Sequence, residues 1–241
     1  MRFGLFWQTP GSAESSVARR HWETIEEIVL GEQLGFETAW LAESVFFPTR
    51  PMSNPLMVAI AAAQRTERIR FGTLAAQAPI HHPFHMATQS ATCDILTQGR
   101  LDLCLGGRWG SRFGRFFGHG NISSEESRER VAETIELIKL AWTQERVHCQ
   151  GKYWQADNLP VMPPQPVQRP HPPLLLASNS NDTFPYAAAP GAWRGVHHAE
   201  SADAAPDRAA RGVCSSQARP WRHTAATGVC HGLLLCGQDT C

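Results

Sequence analysis

From residue 1 to residue 188 the chain repeats one pattern: a short apolar run, then an amphipathic helical stretch, five times over. A helix between two strands carries the chain back to the end it started from, so successive strands lie parallel and a sheet with crossovers is the only economical outcome. Arg2–Trp7 (RFGLFW) is the first apolar run. A helical stripe follows from Ser16, with Trp22, Ile25, Ile28, Val29 and Leu34 at three- and four-residue spacing, and Gly35 stands where a left-handed stop is needed. Phe36–Leu41 predicts the second strand, and Asn54-Pro55 an N-cap with proline in the first turn of the small apolar helix LMVAIAAAQ. Arg68–Leu74 is the third run; Pro83 then opens a helix whose stripe is Phe84, Ala87, Ala91 and Ile95, stopped at Gly99. Leu101–Leu105 is the fourth. A periodic helix from Ser124 to Trp142 buries Val131, Ile135, Ile138 and Trp142. Pro173–Ala177 is the fifth strand, with a helix or turn beginning over 178–186.

Two closures satisfy this rhythm, an open doubly wound sheet and a (β/α)₈ TIM barrel. No glycine fingerprint of a dinucleotide site follows the first strand, which favours the barrel. From Ala189 onward the character changes. Residues 189–241 contain no Ile, Phe, Lys, Met, Tyr or Asn but eleven Ala and five Arg, and only Gly232–Cys236 (GLLLC) is an apolar run. A sixth βα unit would need β-branched residues. The bias resembles a GC-rich coding strand read out of frame, so the expected division is a barrel portion over 1–188 and a low-order tail over 189–241, with a frameshift near Ala188. Five units leave two parallel edges with unpaired backbone groups, and such a chain by itself is expected to be insoluble or inactive.

Composition removes several function classes. With 22 basic and 22 acidic residues the formal net charge is zero, which withholds the pull expected of a nucleic-acid binder, even though RWGSRFGRFFGHG interleaves arginine with aromatics. No run of 18 apolar residues exists and the N-terminus lacks the pattern of a secretory signal, so no membrane span and a cytoplasmic location are expected. Cys93, Cys104 and Cys149 read as buried thiols, whereas Cys214, Cys230, Cys236 and Cys241 fall in the tail without a CxxC pair; neither a disulfide framework nor a zinc site is expected. His81-His82-Pro83 reads as a turn before a helix. Nucleophile-elbow, P-loop and HExxH motifs are all missing.

In a barrel, chemistry sits at the C-terminal ends of the strands. Glu43 stands there after FETAWLA, either as a site carboxylate or as a strand-end group holding a loop. Gly106-Gly107-Arg108-Trp109 offers close backbone approach and an anion-gripping arginine, or a tight turn with a solvated one. Ser178-Asn179-Ser180-Asn181-Asp182-Thr183 is either a phosphate cradle or a plain helix cap.

Several segments line up in order: GFETAWLAE, NPLMVAIAAAQRTERIRFGT, HHPFHMATQSATCDILTQGRLDLCLGG with its interior Asp94, ESRERVAETIELIKLAWTQERV, GKYWQ, and PPQPVQRPHPPLLLASNSNDTF. Together they resemble the bacterial luciferase-like flavin-dependent monooxygenases. The resemblance implies a TIM barrel, usually homodimeric, binding reduced FMN or, in one branch, F420. With O₂ and a flavin reductase it would oxygenate a small organic substrate such as an aldehyde; a non-catalytic flavin-binding protein or subunit is the alternative. On this chain the resemblance implies Glu43 and Ser44 as catalytic residues. Glu43 would also line the flavin together with Gly106, Gly107 and Arg108, with Ala75, Ala76 and Gln77 lying under its ring. Ser178, Asn179, Ser180 and Thr183 would approach its phosphate. Many members carry histidine directly after the strand-end glutamate; here Ser44-Val45 stand instead, so the resemblance brings no histidine to that position. Thr88 replaces the usual acidic residue in the helix before Asp94, and GGRW is displaced by one from the common GxGR order.

Overall fold

A computed structural model describes residues 2–9, 16–47, 50–107, 114–160, 164–178, 194–197 and 231–236. The expected alternation is present. In chain order the elements are β1 (Arg2–Trp7), α1 (Val17–Gln33), β2 (Thr38–Leu41), α2 (Pro55–Ala63), β3 (Arg70–Thr73), β4 (Ala76–Gln77), α3 (Pro83–Leu96), β5 (Leu101–Gly106), α4 (Ser124–Thr143), β6 (Arg146–Gln150), β7 (Gln155–Pro160), β8 (Leu174–Ser178), β9 (Arg194–His197) and β10 (His231–Cys236). Local chemistry explains the helix limits. Ser16 Oγ accepts the Arg19 N–H, Asn54 Oδ1 accepts the Met57 N–H, and Ser123 Oγ accepts the Glu126 N–H. Gly35 takes φ +88° after α1, a conformation that glycine adopts without steric cost.

The strands β1-β2-β3-β5-β8-β9 run parallel in that order, with β4 also pairing β5. This is the arc of a (β/α)₈ barrel. Beyond residue 188 the described residues form two strands at its margins. β9 continues the arc parallel to β8, while β10, the tail's one apolar run, pairs antiparallel with β1 in the register Leu5↔Leu233.

Side-chain alternation sorts three cores. On the outer face of β1–β3, Trp7, Ala39, Leu41 and Phe71 pack with Ile25 and Ile28 of α1 and Leu56, Ala59 and Ala62 of α2. On the outer face of β5 and β8, Leu103, Leu105, Leu174 and Leu176 meet Met86, Ala87 and Ala91 of α3 and Val131, Ile135, Ile138 and Trp142 of α4. The inner face is filled by Phe6, Trp40, Ala42, Leu74, Cys104 and Leu175. Trp40 takes the room left by two glycines on neighbouring strands: a Cβ on Gly4 would fall 2.8 Å from its Nε1, and one on Gly72 2.3 Å from its Cε3. Buried large apolar side chains each contribute roughly 1.5–3 kcal/mol, so these layers hold the arc.

Some expectations need correction. Trp22 (65% exposed) and Leu34 (67%) do not join the buried stripe of α1, and Ile95 (39%) sits at the edge of that of α3. An apolar residue at the right spacing still faces water when no neighbouring element covers its side of the helix. Cys149 is half-buried rather than buried. The antiparallel hairpin β6–β7 was not foreseen. It is fastened to α4 by Glu133, whose carboxylate accepts the Tyr153 and Trp154 N–H groups, and by Glu129, which accepts the Tyr153 hydroxyl and the Lys152 ammonium.

The two most specific segments of the sequence meet. Asp94, fully buried on α3, accepts the backbone N–H groups of Val167 (2.8 Å) and Gln168 (3.0 Å) through Oδ2 and the Gln168 side-chain amide (2.7 Å) through Oδ1. The proline-rich approach to β8 is thereby anchored to the helix before β5.

Candidate active site

The rim of the arc is built where β2, β3 and β5 end. Past Leu41 the chain stays in register for one more residue, Ala42 N–H donating to Trp7 O, and then delivers Glu43. Past Thr73 the ladder between β3 and β5 is interrupted. The Thr73 hydroxyl donates to Cys104 O (2.7 Å) and accepts from Cys104 N–H (2.9 Å). Leu74 and Ala75, joined by a cis peptide, step out of the ladder before β4 resumes it with Ala76↔Leu105 and Gln77↔Gly106. Ala75 is thereby set against Gly106: a Cβ on Gly106 would lie 2.9 Å from Ala75 Cβ and 3.5 Å from Ala177 Cβ. Above Phe6 and Trp40 the inner face is therefore lined by the small residues Ala42, Ala75, Gly106 and Ala177.

Glu43 lies beside this floor with 4% of its side chain exposed. Oε2 accepts the backbone N–H of Gln77 at 2.5 Å, and Oε1 lies 2.6 Å from His81 Nε2. His81 follows the 3-10 turn Ala78–Ile80 that β4 leads into. The Gln77 amide donates to Ala75 O at 3.2 Å, while its Oε1 is buried with no hydrogen-bond partner among the described residues. Cys104 lies on the same inner face below Gly106, and its burial with Asp102 nearby pushes the thiol well above the ordinary range, so it offers no thiolate at neutral pH.

Of the residues expected at the site, the structure brings Glu43, Ala75, Gln77 and Gly106 to one rim, whereas the Ala76 side chain turns the other way, into the outer core with Leu105 and Met86, as alternation along β4 requires. Gly107 follows immediately, packed against α4, where Ser127 Oγ donates to its carbonyl. Ser44 is buried beside Glu43 with its N–H on Met52 O (2.7 Å), and among the described residues no hydrogen bond joins it to Glu43. Ser178 ends β8 at the same end of the arc. Arg108, Asn179, Ser180 and Thr183 lie outside the described residues. His81 is what sequence reasoning missed. Its neighbour His82 does what was expected of the pair, capping α3 by accepting the Phe84 N–H. His81 instead meets a carboxylate 38 residues earlier, a pairing that no local pattern announces.

Residues 1–213 match the model of a family described as luciferase-like monooxygenase. The chain belongs to this family. The match runs past residue 188 and takes in β9. Among curated members, the oxygenase component of flavin-dependent trigonelline monooxygenase from Acinetobacter baylyi is 27% identical over 193 residues, 79% of this chain and 52% of the relative. F420-dependent glucose-6-phosphate dehydrogenase from Amycolatopsis mediterranei is 26% identical over 176 residues, 70% of this chain and 51% of the relative. Among solved structures, the monooxygenase RslO1 from Streptomyces bottropensis superposes with a TM-score of 0.67 at 32% identity, covering 74% of this chain and 54% of that one. The oxygenating constituent of 3,6-diketocamphane monooxygenase from Pseudomonas putida, solved with FMN, shares the fold with a TM-score of 0.67 at 21% identity, covering 75% and 52%. The chain spans about half the length of the curated relatives it matches. Luciferase-like relatives thus include both flavin-dependent monooxygenases and F420-dependent oxidoreductases. No helix among the described residues is long and apolar enough to cross a membrane.

Proposed function

We propose that this protein is a flavin-dependent monooxygenase that uses reduced FMN and O₂ on a small organic substrate such as an aldehyde, with electrons delivered by a separate flavin reductase. The observation that carries the reading is the floor of small residues, Ala75, Gly106 and Ala177, beside the buried carboxylate of Glu43. The residues fit a flat ring in two respects. A side chain at Gly106 would occupy the floor, and Gln77 Oε1 is a buried acceptor that finds no donor among the described residues.

On this reading residues 1–188 carry the site. Ala75, Ala76, Gln77, Gly106 and Gly107 hold the ring by close backbone approach, and Glu43 orients its neighbours. Arg108 lines the ring with them, and Ser178, Asn179, Ser180 and Thr183 approach the phosphate, for which serine and threonine hydroxyls are suited donors. When bound, the reduced flavin supplies the two electrons with which O₂ is divided between an oxygenated product and water. The chain's own task is to bind, orient and exclude water, for which the apolar inner face is suited. F420 is the second cofactor to test, because F420-dependent enzymes stand among the relatives. The family habit of pairing subunits suggests a homodimer.

A second reading, a flavin-binding subunit without turnover, is favoured by Ser44-Val45, which stand where many members carry histidine after the strand-end glutamate. Two measurements decide. Quenching of FMN fluorescence on titration with the full chain is the expected outcome of either reading, and unaltered fluorescence at micromolar FMN removes both. Reductase-coupled O₂ uptake that depends on an aldehyde supports the monooxygenase; binding without uptake leaves the subunit.

A further inference from the structure

We infer that His81 is the proton-transfer group of this site and that Glu43 is its positioning partner. The inference rests on the flavin-enzyme reading above but concerns residues of this chain alone.

The case begins with what a carboxylate imposes on an imidazole. Glu43 Oε1 stands 2.6 Å from His81 Nε2, and the other oxygen, Oε2, is taken by the Gln77 N–H. An ionised carboxylate can only accept, so the ring nitrogen facing it carries the hydrogen. In the neutral ring the opposite nitrogen, Nδ1, then holds a lone pair. Nδ1 makes no hydrogen bond among the described residues. The dyad is therefore a base with a fixed tautomer and a free acceptor.

Burial differs across the pair in a useful direction. The Glu43 side chain is 4% exposed and that of His81 31%. The carboxylate is held rigidly by a backbone N–H that belongs to the floor itself, whereas the imidazole reaches solvent and can exchange its proton. The proton balance is simple. The O–H bond of a hydroxyl or water presented to Nδ1 breaks, its electron pair stays on that oxygen, its proton bonds to Nδ1, and Nε2–H remains on the ring donating to Glu43; the carboxylate holds the resulting imidazolium until the Nδ1 proton passes to water. Carboxylate-oriented imidazoles work in this way wherever a general base is needed near neutral pH.

A merely structural pair would hold the turn after β4 and nothing else, so the test must separate the two. Ring-nitrogen shifts of ¹⁵N-histidine-labelled full chain read the tautomer without any cofactor. The expected result is a pyrrole-type Nε2 and a pyridine-type Nδ1 for His81, with Glu43→Gln mixing the two forms. With FMN and reductase, His81→Ala and His81→Asn are expected to keep flavin affinity within about threefold, to lose turnover by roughly 10²–10⁴-fold, and to regain part of it with millimolar imidazole. A protonated Nδ1 in the unaltered chain, full turnover in His81→Asn, or a loss that imidazole does not relieve overturns the inference while leaving the flavin reading intact. A wild-type chain that neither binds FMN nor consumes O₂ overturns both.

Discussion

Arg70 on β3 and Asp102 on β5 clasp the N-terminal end of the strand arc in a two-pronged ion pair, Nε to Oδ2 at 3.0 Å and Nη2 to Oδ1 at 2.7 Å. Both side chains are largely buried, and Arg70 also donates to the carbonyls of Gly99 and Leu101 and to Gln168 Oε1. The clasp lies at the end of the arc opposite the candidate site. Removing one partner leaves the other charge half-desolvated, an effect that reaches about 3–5 kcal/mol for fully buried pairs. Because Arg70 keeps three other acceptors, Asp102→Ala is expected to cost about 2 kcal/mol, read as a lower urea midpoint. The paired replacement Arg70→Met with Asp102→Leu should cost less than the single one. A double variant weaker than Asp102→Ala would show that the pair does more than satisfy itself.

The Trp40 indole gives a second prediction, about packing. A methyl at Gly72 would overlap its Cε3 and Cζ3 at 2.3 and 2.4 Å, and both groups are walled in by neighbouring strands. Gly72→Ala is expected to destabilise by about 1–3 kcal/mol through overpacking. Combining it with Trp40→Leu should recover part of that loss, because the two residues compete for one volume. Additive losses in the double-mutant cycle would contradict this.

The rhythm of apolar runs made the parallel arc legible, because strand and helix periods leave their mark within a few residues and each crossover restarts the count. Caps at Asn54 and Gly35 were legible for the same local reason. The β6–β7 hairpin was not: β6 alternates Val147 and Cys149 with exposed Arg146, His148 and Gln150 over only five residues, and β7 is exposed at every position but Ala156, so no second alternating run marks a partner strand. Most of the rim could be read as well, His81 being the exception. Glu43 and Gly106 end strands, which is a positional signal. His81 joins the rim only because β4 re-pairs with β5 after a two-residue step, and that detour depends on the Thr73 hydroxyl, whose role no periodicity encodes.

Acid stability should report on Glu32, in the last turn of α1. Its Oε2 accepts the N–H groups of Arg68 (2.6 Å) and Ile69 (2.7 Å), and Glu67 N–H reaches both oxygens. Burial alone would raise this carboxyl, but the N–H groups of Ile69, Arg68 and Glu67 outweigh it and hold the group below its ordinary value of 4.5. A folded value below the unfolded one means the stabilisation is complete above the ordinary value and disappears as pH falls through the folded one. Glu32→Gln is therefore expected to lower the urea midpoint by the equivalent of about 1–2 kcal/mol at pH 7, with the gap to wild type closing below about pH 4. A gap that is constant from pH 7 to pH 3 would contradict it.

Thiol reactivity separates the layers of the fold. Burial, reinforced by Asp94, pushes the Cys93 thiol up to about 12, and its Sγ–H points at Leu56 O. Native alkylation followed by peptide mapping should leave Cys93 and Cys104 unlabelled and modify both in urea. Native labelling of Cys104 would mean that the inner face opens to solvent.

The sharpest test of the floor is a single methyl. Gly106 pairs with Gln77 and directs its missing side chain at Ala75, whose Cβ belongs to backbone held by β4 on one side and Leu74 on the other. At 2.9 Å a new Cβ cannot be met by swinging a flexible chain end aside, so the two strand ends must part by a few tenths of an ångström or the floor must rise. Either change acts where the flavin ring is proposed to rest and leaves the outer cores untouched. Gly106→Ala is expected to weaken FMN binding at least tenfold, with a urea midpoint close to wild type. Gly107→Ala, whose Cβ would strike Ser127 and Val131 on α4 instead, should lower stability first. If Gly106→Ala binds FMN as tightly as the unaltered chain, the ring does not rest on this floor, and the assignment of Ala75 and Gly106 to cofactor binding fails with it.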